Sequence, residues 1–227
     1  MRRNISHRWD LTIDEALLLQ ERLARLVRLA PFGRRSFVVA GTDVSFDDEH
    51  GHAIAGVVAV RVPSLETVAE AYAEATLAFP YVPGFLSFRE APALLAALAR
   101  LPLAPDILMV DGQGIAHPRR IGIASHLGLL TGMPSIGCAK SRLVGTHREP
   151  GRRRGSRAAL VIGSEAVGAV VRTRDGVAPV YVSPGHLADI ASAVRVALAC
   201  AVTRVPEPTR RAHHLVTRVR RGICFQG

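Results

Sequence analysis

Four consecutive apolar residues, Ile107–Val110, lie between Pro105 and Gly112. A run this short, apolar at every position, is the pattern of a strand buried on both faces. Strands of that kind belong to parallel sheets covered by helices on each side. The residue that follows is Asp111, and sheets of this type present their chemistry at the C-terminal ends of their strands. Gly112 and Gly114 allow the backbone to approach a ligand without a Cβ in the way. His117, Arg119 and Arg120 come within the next ten positions, so the segment reads as a corner suited to phosphate and a metal ion. A strand end with a solvated turn is the competing reading.

The flanking pattern extends this sheet. Residues 11–30 have helical spacing, with a capping-box signature at Thr12 and Glu15. Strands are expected at 36–46, 52–62 and 67–78, joined by short turns as an antiparallel meander, with the acidic turn Asp47-Asp48-Glu49 between the first two. A loop with prolines at 80 and 83 follows, then a helix from Ser87 to about 101. Ser87 reads as its N-cap, and Glu90 three residues on fits a capping box. After the central strand come a helix at 121–131, a strand at 134–140, a basic glycine-rich loop at 146–157, a hairpin at 158–163 and 166–172, and a short strand at 180–182. Ser183 is expected to start a helix running to 201, and a basic helix spans 207–221. The expected fold class is α/β, a mixed sheet of antiparallel meander plus parallel strands with helices on both faces, in one domain over 1–227.

Charge narrows the function. The 227 residues include 29 basic and 19 acidic ones, a net charge of +10, which favours a polyanionic partner such as nucleic acid. Of the basic residues 28 are arginine and only Lys140 is lysine. Lysine is a compact point charge with a shiftable pKa, which marks Lys140 as a site candidate; chance is the rival explanation. Three scattered cysteines, Cys138, Cys200 and Cys224, argue against a disulfide framework or a structural zinc site. With no apolar leader and no membrane span in the sequence, the protein is expected in the cytoplasm. A monomer is expected, although nothing in the sequence derives it.

Asp43 lies in an apolar strand, where a carboxylate is costly unless it is paired or binds a cation. If the first and fourth strands are neighbours, Asp43 and Asp111 converge, and a helix can bring Glu90 to the same point. Clustered carboxylates beside a basic surface suit Mg²⁺. Bound metal lowers the pKa of an attacking water and stabilises the leaving oxygen.

The stretches GTDVSF (41–46), PYVPGFLSFRE (80–90), VDGQGIAHPRRIGIASHLGLLTG (110–132), IGCAK (136–140) and PEPTRRAHHL (206–215) resemble the signatures of the endonuclease V family. These are deoxyinosine 3′ endonucleases of DNA repair with an RNase H-like core. The resemblance spans about 36–220. It implies a metal-dependent nuclease, using Mg²⁺ or in its place Mn²⁺, that hydrolyses the second phosphodiester bond 3′ to deoxyinosine and leaves 5′-phosphate ends. Matching positions make Asp43, Glu90 and Asp111 metal and catalytic carboxylates, Lys140 the active-site lysine, and His213 a further site position where relatives can carry Asp. Tyr81, mounted beside Pro80, matches a wedge that fills the gap left by a flipped nucleotide. Gly84, Leu86, Gly112 and Ile123 are implied as the base pocket. Arg119 and His117 are expected on the substrate side, although a structural hydrogen bond is an equal reading for His117 and for His126. Gln113 stands where other members can have His.

Two other functions fit part of the pattern. A related RNase H-like nuclease for branched or hybrid duplexes would keep the carboxylates without needing the wedge. A basic nucleic-acid-binding protein would use the acids structurally. Inosine-containing RNA remains open as a substrate beside DNA.

Overall fold

The computed structural model describes residues 5–47 and 50–222; Cys224 and part of the acidic turn at 47–49 lie outside them. The chain runs α1 Ile13–Ala24, β1 Phe37–Asp47, β2 His52–Val62, β3 Glu66–Thr76, α2 Leu86–Ala99, β4 Ile107–Val110, α3 Ile123–Thr131 and β5 Ser135–Ala139. It continues through β6 Arg157–Ile162, β7 Glu165–Val171, β8 Val180–Pro184, α4 Ile190–Ala199 and α5 Glu207–Arg220.

These strands form one sheet in the order β3-β2-β1-β4-β5-β8-β7-β6. The β3-β2-β1 meander is antiparallel, β1 to β4 and β4 to β5 are parallel, and β8, β7 and β6 add antiparallel pairs. β4 is buried at all four positions, as its apolar run predicts. Alternation sends Ile107 and Met109 into one core with Val39, Val60 and Ile136, covered by Val196 of α4 and Leu215 of α5. Leu108 and Val110 enter the opposite core, under Leu94 of α2 and Leu127 of α3. Helices therefore cover both faces. A third cluster packs Leu19 and Leu23 of α1 against Phe85, Phe88 and Leu129.

Small residues let two layers touch. A Cβ at Gly41 in β1 would lie 2.0 Å from the Pro208 carbonyl carbon, so glycine there admits the start of α5 against the sheet. Among the described residues no helix is long and apolar enough to cross a membrane.

Three local expectations fail for tertiary reasons. The expected helix start at Ser183 is the end of β8: the Ser183 hydroxyl accepts the Gly114 N–H at 2.8 Å, and Pro184 O accepts the Ile115 N–H at 2.8 Å. The helix begins only at Ile190, where the Asp189 side chain caps Ser192 N at 2.7 Å. α1 keeps its capping box but stops at Ala24, because the chain beyond is held by Arg28 N–H donating to His186 Nδ1 at 3.2 Å. Ser87 is not an N-cap: Phe85 takes that place without a side-chain cap, and the Ser87 hydroxyl is buried with no partner among the described residues.

Candidate active site

β1 and β4 run parallel with Thr42 beside Val110 as their last pair. The next residue on each is acidic, Asp43 and Asp111, so two carboxylates project from adjacent positions of neighbouring strands, whose backbones lie about 4.8 Å apart. α2 adds Glu90, freed from any capping role because its helix starts before Ser87. β5 delivers Lys140 just past its end, and its Nζ donates to Asp111 Oδ2 at 2.5 Å. α5 places His213 over β1, with Nδ1 3.0 Å from Asp43 Oδ2. Residues far apart in sequence thus meet on one rim of the sheet.

The electrostatics reflect that convergence. Burial, and then the charge of Asp111, push the Asp43 carboxyl up to about 6, against the pull of the His213 hydrogen bond. Burial, followed by the charges of Asp43 and Asp111, drives Glu90 up to about 8. For Lys140 burial works downward, but the hydrogen bond and charge of Asp111 outweigh it and leave the ammonium's pKa raised. Mutually repelling carboxylates, one of them nearly buried, are a hard-oxygen donor set suited to a divalent cation. Among the described residues no three such side chains already stand at coordination spacing. Asp43 and Asp111 instead bond His213 Nδ1 and Lys140 Nζ.

A cleft of about 380 Å³ opens beside this rim. Asp111 and Lys140 line it together with Tyr81, Gly84, Leu86, Gly112, His117 and Ile123, all singled out in the sequence. Pro80 and Arg119 do not line it. Tyr81 is 71% exposed at the mouth. Gly112 is pressed close to the wall, since a Cβ there would lie 2.6 Å from Ile123 Cγ2.

Some expected ligand-facing side chains are engaged inside the protein. His117 Nδ1 accepts the Arg119 N–H at 3.2 Å, which leaves Nε2 to donate to Gly84 O at 3.0 Å. Burial and the Arg119 charge lower His117 to about 4, so the ring stays neutral. Arg119 Nη2 donates to the same Gly84 oxygen at 2.8 Å, and its guanidinium lies 4.4 Å over Phe85. That guanidinium, expected on the nucleic-acid backbone, is drawn inward because the Gly84 carbonyl and the Phe85 ring offer it partners. Gln20, which no sequence pattern singles out, donates to Gly84 O at 2.9 Å and also bonds Arg119 Nε. His126 is in the aromatic core beside Trp9 and Phe88, with Nε2 2.8 Å from His7 Nε2, far from a substrate role. Arg120 pairs with Glu165 at 2.6 Å. The Gln113 amide lines the cleft and donates to Ser141 O at 3.1 Å, while its oxygen is buried without a partner among the described residues.

Meander, parallel centre and two-sided helices, with acids just past the last β1–β4 pair, define the RNase H-like class of α/β fold. The family profile for endonuclease V matches residues 21–214. An endonuclease V from Myxococcus xanthus is 53% identical over 216 residues, covering 94% of this chain and 92% of that protein. The crystal structure of endonuclease V from Streptomyces avermitilis is 44% identical and superposes with a TM-score of 0.91 over 96% of this chain and 97% of that one. Endonuclease V from Ciona intestinalis is similar too, solved in complex with a 24mer DNA containing an inosine followed by a ribo-adenosine. It is 26% identical, with a TM-score of 0.81 over 93% of this chain and 99% of that chain. The chain belongs to the endonuclease V family and is a nuclease.

Proposed function

We propose that the protein is a divalent-metal-dependent DNA repair endonuclease that recognises deoxyinosine and hydrolyses the second phosphodiester bond 3′ to it. The observation that carries this reading is continuity: Asp111 and Lys140 belong both to the acidic rim and to the wall of the cleft. A base held in the cleft therefore keeps its strand against the carboxylates. The DNA bound by the Ciona relative, with its inosine, supports the same substrate.

Each side chain has a distinct task. Tyr81, exposed on a loop stiffened by Pro80 and Pro83, fills the space of the extruded nucleotide and offsets its lost stacking. The cleft walls at Gly84, Leu86, Gly112 and Ile123 offer backbone groups to the O6 acceptor and N1–H donor of hypoxanthine. His117, Arg119 and Gln20 act one step back by fixing the Gly84 carbonyl. Asp43, Glu90 and Asp111 would hold Mg²⁺ or Mn²⁺, which supplies a water of lowered pKa and charge for the leaving oxygen. Lys140, released from Asp111, stabilises charge on the phosphate. His213 keeps Asp43 oriented. The ribonucleotide after inosine in the Ciona complex favours inosine-containing RNA as a second substrate. We place the activity in the cytoplasm.

One incubation tests this: Mg²⁺ with an end-labelled strand carrying a single deoxyinosine. The expected cut is at the second 3′ bond, leaving a 5′-phosphate, with no cleavage of the unmodified strand. Lys140→Ala should lower kcat by about 10²–10³-fold, the usual cost of one electrostatic stabiliser. Tyr81→Ala should weaken inosine-strand binding while Tyr81→Phe restores it. Equal cleavage of modified and unmodified strands would overturn the proposal.

A further inference from the structure

The basic stretch after β5 has no part in the site described so far. Residues 146–156 and 172–179 are fastened into one unit by Arg172, which is 6% exposed. Its guanidinium donates to Gly151 O at 3.0 Å, Pro150 O at 3.0 Å, Glu149 Oε1 at 2.7 Å and Val177 O. Backbone bonds join the two loops as well, Gly155 N to Arg172 O at 2.8 Å and Gly176 N to Arg152 O at 2.9 Å. Of the two acids here, Glu149 pairs with Arg172, and Asp175 accepts the backbone N–H of Arg154 and keeps its charge. Arg148, Arg152, Arg153 and Arg157 are exposed, and among the described residues their guanidinium groups have no partner. Residues 146–157 and 172–179 thus hold seven arginines against two acids, a local net charge of +5.

The sheet places this unit relative to the site. Ala139 at the end of β5 pairs with Tyr181, Tyr181 with Val170, and Val170 with Ala158. Lys140 and Arg157 therefore flank the two ends of one row across four strands. Three strand spacings make that distance about 15 Å. Arg204 ties the unit to the site, donating to Lys140 O at 2.8 Å and to Ala178 O at 3.1 Å.

We propose that this arginine platform is a second nucleic-acid contact, gripping the phosphate backbone where the substrate continues past the cleavage site. The inference rests on the nuclease reading above and adds a length requirement to it. Guanidinium groups match phosphate bidentately, and a loop already ordered by Arg172 loses little freedom on binding. At about 3.4 Å per nucleotide, 15 Å corresponds to four or five nucleotides. The grip serves only substrates extending at least that far on one side.

The test uses the full chain with Arg148, Arg152, Arg153 and Arg157 all changed to Gln, and the Arg152→Gln, Arg153→Gln pair as a milder variant. Deoxyinosine duplexes extended to one side, to the other, or to neither report affinity at several salt concentrations. Wild type should gain affinity on extension of one side only. The quadruple variant should lose that gain and show a log–log salt slope shallower by about 3–4, near 0.9 for each phosphate no longer neutralised. The pair should fall about halfway, and both variants should cleave the unextended duplex at the wild-type rate. Equal affinities and salt slopes for variants and wild type on every duplex would overturn the platform. Failure of wild type to cut any inosine strand would count against the nuclease reading instead, since the slope is read from binding.

Discussion

One carbonyl oxygen, that of Gly84, collects donors from Gln20, His117 and Arg119, and so fixes one wall of the cleft. This works only while His117 is neutral, because Nδ1 must accept the Arg119 N–H. His117 is lowered to about 4 by burial and the Arg119 charge. A histidine depressed in the folded state binds fewer protons there than in the unfolded chain, whose value is near 6.5. Its contribution is therefore full above about pH 6.5 and is lost as pH falls towards 4. His117→Ala should cost about 1–3 kcal/mol at pH 7, the penalty of leaving buried partners unsatisfied. Urea unfolding should show the gap between wild type and variant closing between pH 6.5 and 4. A gap that stays constant across that range would mean that the imidazole does not bond as the neutral form.

At the scale of elements, the site depends on α5 lying flat on β1. The approach is so close that a Cβ at Gly41 would meet the Pro208 backbone, whereas one at Gly33 meets nothing within 4 Å. Gly41→Ala should destabilise by about 1–3 kcal/mol through overpacking, while Gly33→Ala stays within about 0.5 kcal/mol. Displacing α5 also lifts His213 from Asp43, so nuclease activity should fall further for Gly41→Ala than stability alone explains. Equal unfolding midpoints for the two variants would show that the helix yields without cost. The same elements show what sequence discloses. β2 and β4 are legible to the residue because turn signals bound an apolar run, which is local information. Asp43 and Asp111 are legible as a pair once β1 and β4 are set side by side. The start of α4 is not, since Ser183 and Pro184 bond to Gly114 and Ile115, some seventy residues earlier. Ser87 misleads for the same reason: its capping pattern is sound locally, but packing moves the helix start upstream. Gln20 leaves no trace, because its partner Gly84 is 64 positions away.

Across the whole molecule, the three acids link segments that only folding brings together, β1, α2 and β4. Without a cation their repulsion works against the fold. Asp43 at about 6 and Glu90 at about 8 are both raised, so each favours the folded state most when protonated. That contribution is present below the unfolded carboxyl values and is lost as pH rises through about 6 and then about 8. A divalent ion bound by the folded chain alone should reverse the loss. At a hundred times its Kd it would add about 2.7 kcal/mol, or roughly 5–10 °C in melting temperature for a chain of this size. The Mg²⁺-induced rise should be largest near pH 8 and shrink towards pH 5, where protons compete for Glu90 and Asp43. Chelation should reverse it. Asp43→Asn should melt higher than wild type without metal at pH 8, having shed one repelling charge, and should respond little to Mg²⁺. If Asp43→Asn keeps the full Mg²⁺ response, the ion binds elsewhere and the three carboxylates do not hold it.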